Sequence, residues 1–192
     1  MWDKFLYEIY IMKALLIGNG PSIERNIKEL KASNFDGVIF ASEVTLTRCL
    51  KADIIPDYTC TEEGDDKLIE CFKSPLLLKH LEIKIIHGQK TPAIVKSYLI
   101  QIGLKLWELP NINKTLLSNV GIYMWYNAMK HFDFKEIYLI GMDFAIDSKP
   151  TRKYRVDHFL KLIESYSHIT TINCTGDGLI RANFIKWCDK IG

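Results

Sequence analysis

The run Lys13 to Ile23, KALLIGNGPSI, holds the residue types that an anion-binding turn requires. Gly18 and Gly20 let the backbone turn sharply and leave no side chain between its N–H groups and a ligand. Pro21 and Ser22 start a helix with Ser22 as N-cap, so unpaired amides and the positive end of a helix dipole face the turn. A phosphate or a carboxylate is the ligand such a turn accepts. The dinucleotide fingerprint GxGxxG is incomplete, because Ile23 stands where its third glycine belongs, and no GxxxxGKS or GxxxxGKT loop occurs. The turn locates a site without naming its ligand, and a tight strand-to-helix turn whose glycines serve geometry alone stays open.

The elements that must position this turn alternate along the chain. Ala14 to Ile17 is a continuous apolar stretch, as in a parallel strand covered on both faces. A helix follows from Ser22 to Ala32, then a strand from Gly37 to Ala41 and a helix from Glu43 to Lys51. Further strands are expected at Asp57 to Cys60, Ile83 to His87, Leu104 to Leu109, Glu136 to Ile140 and Thr170 to Cys174, with a helix over Pro92 to Ile102. Val120, Met124, Ala128 and Phe132 recur at helical spacing and mark a core-facing stripe. Such alternation implies an α/β fold, a doubly wound and mostly parallel sheet with helices on both faces, in which ligands gather beyond the carboxyl ends of the strands. That edge holds Asn19 and Ser22, Ser42 and Glu43, Thr61 to Glu63, Gly141 to Phe144, and Thr175 to Gly178. Asp143 reads there either as a ligand contact or as a buried cap for loop amides. Glu62, Glu63, Asp65 and Asp66 read as a solvated turn at a helix start; no metal is favoured, but these are the ligands if Mg2+ is used. The TGDG run reads as a turn.

Composition sets the outer limits. At 192 residues and 48% hydrophobic, the chain supports one domain over residues 13–192, preceded by a 1–12 extension rich in aromatics that suits docking, dimerisation or peripheral membrane contact. A net charge of +2 with interspersed signs forms no basic stripe, so nucleic acid is not an expected partner. Five scattered cysteines without a CxxC pair point to reduced thiols and a cytoplasmic setting. The longest greasy run, Leu76 to Ile86, is broken by Lys79, His80, Glu82 and Lys84, too short and too charged for a transmembrane span.

Leu116 to Asp147, LLSNVGIYMWYNAMKHFDFKEIYLIGMDFAID, resembles the central motif shared by bacterial lipooligosaccharide-type sialyltransferases and motility accessory factor glycosyltransferases, and GNGPSI resembles their opening motif. The same motifs resemble the archaeal 6-hydroxymethyl-7,8-dihydropterin diphosphokinases, the MptE-like proteins, of the same Rossmann-like group. IIPDYTCTEE and INCTGDGLI are weaker matches that extend the likeness from about Lys13 to Trp187. Where the kinases carry a DLDGD-type run, this chain has TEEGDD, and its SNVGIY turn is closer to the sialyltransferases. Their asparagine after the second strand is replaced by Ala41, Ser42 and Glu43.

The resemblance implies a nucleotide-dependent transferase, first a glycosyltransferase that uses a CMP-type sugar in surface-glycan synthesis and passes it to a glycan or small-molecule acceptor. A nucleotide donor is the one co-substrate it implies, and an oligomeric assembly is compatible with it. On this reading the Gly18 to Ser22 amides, Pro21 included in the turn, bind phosphate together with Asn19, Ser118, Asn119 and Asp143. Tyr154 matches a lid tyrosine that bonds the phosphate, assisted by Arg152 and Arg155, and His158 after the lid is the candidate base. Two alternatives stay open: a diphosphokinase that uses ATP and Mg2+, and a non-catalytic binding or assembly module.

Overall fold

The computed structural model describes residues 13–33, 35–61, 65–108, 120–143 and 150–176. Seven strands, β1 (Lys13–Ile17), β2 (Val38–Ser42), β3 (Tyr58–Thr61), β4 (Lys84–His87), β5 (Lys105–Glu108), β6 (Glu136–Ile140) and β7 (Thr170–Asn173), form one sheet in the order β5-β4-β3-β2-β1-β6-β7. Every pairing is parallel. The helices are α1 (Ile23–Ala32), α2 (Glu43–Lys51), α3 (Ala93–Gln101), α4 (Val120–His131) and α5 (Pro150–Ser165). The fold is α/β and Rossmann-like, as the alternation implies.

Strand periodicity sorts the core into two faces. Ala14, Leu16, Phe40, Cys60, Ile86, Ile137 and Leu139 pack with Met124, Trp125 and Ala128 of α4 and Phe159 of α5. Leu15, Ile17, Ala41, Tyr138 and Ile140 point the other way, onto Ile23, Ile27 and Leu30 of α1. A third cluster carries that second face outward, where Ile83 and Ile85 meet Leu46 of α2 and Val95 and Leu99 of α3. The α1 spacing Ile23, Asn26, Ile27, Leu30 is the i, i+3, i+4, i+7 stripe of a helix laid on a sheet. Trp125 keeps its buried indole N–H satisfied by donating to Thr171 Oγ1 at 3.0 Å.

Three local expectations shift. The helix start expected at the acidic turn is a 3-10 helix, Asp66–Phe72, which packs Leu68 and Phe72 into the core. α5 begins at Pro150, so the segment expected to form a lid supplies the first turns of this helix. Boundaries elsewhere move by a residue, as at Thr61, which ends β3 one position later than Cys60. The 1–12 extension lies outside the described residues.

Candidate functional site

Chain direction reverses between β1 and β6: the chain leaves β1 toward β2 on one side, and β6 with β7 lies on the other. Crossovers that diverge in this way open a crevice at the carboxyl ends of the strands. Here the loops after β1 and β6 approach backbone to backbone. Gly18 N donates to Ile140 O at 2.9 Å and Gly20 N to Gly141 O at 2.6 Å. A Cβ on Gly18 would stand 2.5 Å from Gly141 O, and one on Gly20 would land on Asp143 Oδ2. Gly141 itself has φ +59°. The glycines are therefore required for loop-on-loop packing, and the expectation that their N–H groups form an open phosphate cradle is corrected: both donors are spent inside the protein. Among the described residues the Asn19 amide makes no hydrogen bond, while Asn19 Oδ1 accepts from Arg48 Nη1 at 2.7 Å. Arg48 also lies 3.5 Å from Glu24 through Nε. Pro21 is exposed beside Asn19.

The N-terminus of α1 is met by a carboxylate of the protein itself. Asp143, 3% exposed, accepts at Oδ2 from Ser22 N (3.3 Å) and Ser22 Oγ (2.8 Å). The Ser22 N–H bond fits the reading of Asp143 as a cap for loop amides. Ser22 occupies the N-cap position with helical φ and ψ and makes no side-chain capping bond to its own helix, so its expected capping role passes to Asp143. Oδ1 of Asp143 has no hydrogen bond among the described residues.

Asn26, absent from the sequence reading, is the hub behind this pair. It is 1% exposed, its Oδ1 accepts from Gly141 N at 3.1 Å, and its Nδ2 reaches Cys174 O at 3.3 Å and Thr175 O at 3.4 Å. Thr175 Oγ1 in turn accepts from Met142 N at 3.2 Å, and Asn173 Oδ1 from Thr175 N at 2.9 Å. Arg25 Nη2 donates to Thr175 O at 2.8 Å. The loops after β1, β6 and β7 are thus one hydrogen-bonded unit. The signal available in the sequence was the i, i+4 spacing of Ser22 and Asn26, which puts both on one helix face.

A second polar group lies across the rim. Thr61, His87 and Glu108, the last residues of β3, β4 and β5, are register partners on one sheet face. His87, 3% exposed, bonds Gly88 O through Nδ1 at 3.2 Å, and its Nε2 lies 4.0 Å from Glu108 Oε2, which Lys96 approaches to 3.7 Å. Burial and then the Lys96 charge push the His87 pKa below its ordinary value, against the Gly88 bond and Glu108. Among the described residues the buried hydroxyls of Thr59, Thr61 and Thr91 have no hydrogen-bond partner. Burial and the nearby Glu43 carboxylate raise the pKa values of Cys60 and Cys71.

The remaining expected residues fall outside this unit. Asp65 Oδ1 caps the 3-10 helix by accepting from Lys67 N at 2.9 Å, and its side chain is exposed. Glu62, Glu63, Ser118 and Asn119 lie outside the described residues, as do the side chains of Arg152, Tyr154 and Arg155 at the start of α5. His158 sits midway along α5, half-buried, and none of the hydrogen bonds of Gly20, Ser22 or Asp143 reaches it. The structure therefore joins Gly18, Gly20, Ser22 and Asp143, with the exposed Asn19 bonded to Arg48 beside them. Among the described residues no three of His, Cys, Asp and Glu gather as a metal cage, and no helix is long and apolar enough to cross a membrane.

A family model described as 6-hydroxymethylpterin diphosphokinase MptE-like matches residues 3–149. The glycosyltransferase MAf of Magnetospirillum magneticum AMB-1 superposes with a TM-score of 0.69 at 17% identity, over 91% of this chain and 33% of that one. The chain thus spans about a third of that enzyme's length, and the likeness establishes the fold. Thiamine pyrophosphokinase from Bacillus subtilis gives a TM-score of 0.41 at 11% identity over 83% of this chain and 58% of its own. The thiamin pyrophosphokinase of Geobacillus thermodenitrificans gives 0.40 at 14% identity over 80% and 56%. No curated protein matches. The family and the glycosyltransferase both fall within the Rossmann-like group that the two motifs resemble.

Proposed function

The chain belongs to the 6-hydroxymethylpterin diphosphokinase MptE-like family, and from that premise we propose that it is a nucleotide-dependent transferase that moves the diphosphoryl group of ATP to an acceptor hydroxyl with Mg2+. One observation carries the choice: the Asp143 carboxylate stands at the α1 N-terminus, bonded to Ser22, where a bare phosphate would otherwise bind. Two anions at that point repel each other, so phosphate needs a bridging cation. The donor set fits one. Ser22 Oγ and the free Oδ1 of Asp143 are hard oxygens, and Mg2+ is usually held by one or two protein oxygens, with phosphate and water completing the shell, rather than by a protein cage. When bound, the ion would neutralise phosphate charge as the transfer proceeds.

The chain's own residues supply the rest. Asn19 N–H and the Arg48 guanidinium, held at the Asn19 side chain, face the outer side of the turn as phosphate donors. The Gly18 and Gly20 bonds lock the loop so that these donors are preorganised. In the transfer, an acceptor oxygen bonds to the β-phosphorus, the bond from that phosphorus to the bridging oxygen of the α-phosphate breaks, AMP leaves, and the hydroxyl proton passes to solvent or a base. His158 stays a candidate for that base. The family description supports 6-hydroxymethyl-7,8-dihydropterin as the first acceptor to test.

The assay is AMP release from ATP, Mg2+ and this pterin. Asp143→Asn is expected to cut turnover by about a hundredfold or more, in the range of lost electrostatic stabilisation, and to abolish dependence on Mg2+. An unaltered pterin overturns the assignment. Transfer of a sugar from a CMP-type donor is the second reading, supported by the likeness of the SNVGIY run at 118–123, whose last four residues open α4, to the sialyltransferase motif. It would be seen as stabilisation by CMP without Mg2+.

A further inference from the structure

The oxygens around Ser22 hold one proton too few. The orientation of the Asn26 amide is fixed by its neighbours, because Oδ1 must face the Gly141 N–H, and Nδ2 the Glu29 carboxylate at 3.1 Å and the carbonyls of Cys174 and Thr175. With Oδ1 so placed, Ser22 Oγ lies 2.8 Å from two acceptors, Asn26 Oδ1 and Asp143 Oδ2. A hydroxyl has one proton to give. Whichever acceptor takes it, the other contact is oxygen against oxygen with nothing between. A charged acceptor binds a donor more strongly than a neutral one, so in the free protein the Ser22 proton points to Asp143.

We propose that Asn26 is the positioning residue of this site: when a cation-bound phosphate reaches Ser22 and Asp143, the Ser22 hydroxyl turns its proton to Asn26 Oδ1 and presents a lone pair to the ligand. No bond is made or broken in this step, and the hydroxyl rotates about its C–O bond. The proposal rests on the reading of Ser22 and Asp143 as the Mg2+-nucleotide site. An apolar side chain at this helix position would leave the Gly141 N–H and the Cys174 and Thr175 carbonyls without Asn26, and would also leave the hydroxyl tied to Asp143. Asn26 also holds the Gly141 N–H, so the rotation is felt at the loop after β6.

The test is ATP affinity with Mg2+ and with EDTA, read by calorimetry in the wild type and two variants. The wild type should gain at least about tenfold from Mg2+. Asn26→Leu, which has no acceptor, should lose that gain while metal-free ATP affinity stays at the wild-type level. Asn26→Asp keeps the acceptor for Ser22 and loses the donors to Cys174 and Thr175, so it should melt as low as Asn26→Leu and still keep the gain. A gain retained in Asn26→Leu, or lost in both variants in step with their melting temperatures, overturns the positioning role and leaves the site reading intact. No Mg2+ gain in the wild type overturns both. Should the variants not fold, the wild-type side-chain amide resonance of Asn26 gives the answer. It should shift with MgATP and stay in place with ATP and EDTA, and a resonance unmoved by bound MgATP refutes the rotation.

Discussion

At the scale of single residues, Gly20 decides whether the site can assemble. Its Cα faces Asp143 Oδ2, and an added methyl would also stand 2.8 Å from Gly141 O. Neither neighbour is the loose end of a flexible chain: one is backbone, and the other is a carboxylate held by Ser22. Gly20→Ala is therefore expected to destabilise the protein toward the upper end of the ~1–3 kcal/mol that overpacking costs, and to abolish nucleotide binding with it. Urea denaturation measures the first and thermal shift with MgATP the second. A folded Gly20→Ala protein of wild-type stability would show that the two loops do not press together. Ser22 illustrates the limit of residue-level reading. Its type and place announce an N-cap, yet its hydroxyl serves Asp143 and Asn26.

At the scale of elements, the parallel register of β3, β4 and β5 builds a row no single strand encodes. Thr61, His87 and Glu108 come from distant stretches and meet because each ends its strand. His87 pays the desolvation cost of a site designed for the neutral ring, and Lys96 adds to it while Glu108 and the Gly88 carbonyl oppose it. The sign follows from linkage. The unfolded chain takes up its proton near the ordinary value of 6.5, the folded chain only at lower pH, so acidification favours unfolding. Stability is fully present above about pH 7 and declines as pH falls toward the folded pKa. His87→Gln should flatten this part of the curve in urea unfolding between about pH 7 and pH 5. An equal slope in both proteins would mean that His87 takes up its proton at the same pH in the folded and the unfolded chain.

At the scale of the whole molecule, three of the described thiols report on the integrity of the core. Cys49, Cys60 and Cys174 are buried, while Cys71 is half-buried, and among the described residues none of the four is in a disulfide. Burial pushes the Cys49 pKa up to about 12 and raises that of Cys60 well above its ordinary value. A thiol that stays protonated and covered does not react. Among these four, peptide-mapped alkylation should therefore modify Cys71 first in the native protein and reach Cys49 and Cys60 only at the rate of global opening, in step with urea unfolding. Rapid labelling of Cys60 would contradict a core that is closed on both faces of the sheet.

The sequence alone determined the α/β class, the strand-helix alternation and the two loops that matter. Continuous apolar runs such as Leu15 to Ile17 and glycines at Gly18 and Gly20 are local signals, fixed by the chain's own chemistry. Strand β6 was legible to the residue, from Glu136 to Ile140. What the glycines are for was not legible, because an amide in a turn looks the same whether it faces a ligand or a carbonyl of another loop. Only the placement of β6 beside β1 brought Gly141 and Asp143 against that turn and spent its donors. Asn26 was likewise hidden, since its partners at positions 141, 174 and 175 lie more than a hundred residues away. Hydrogen bonds of that range belong to tertiary structure: no local pattern encodes the partner, and burial alone makes finding one obligatory.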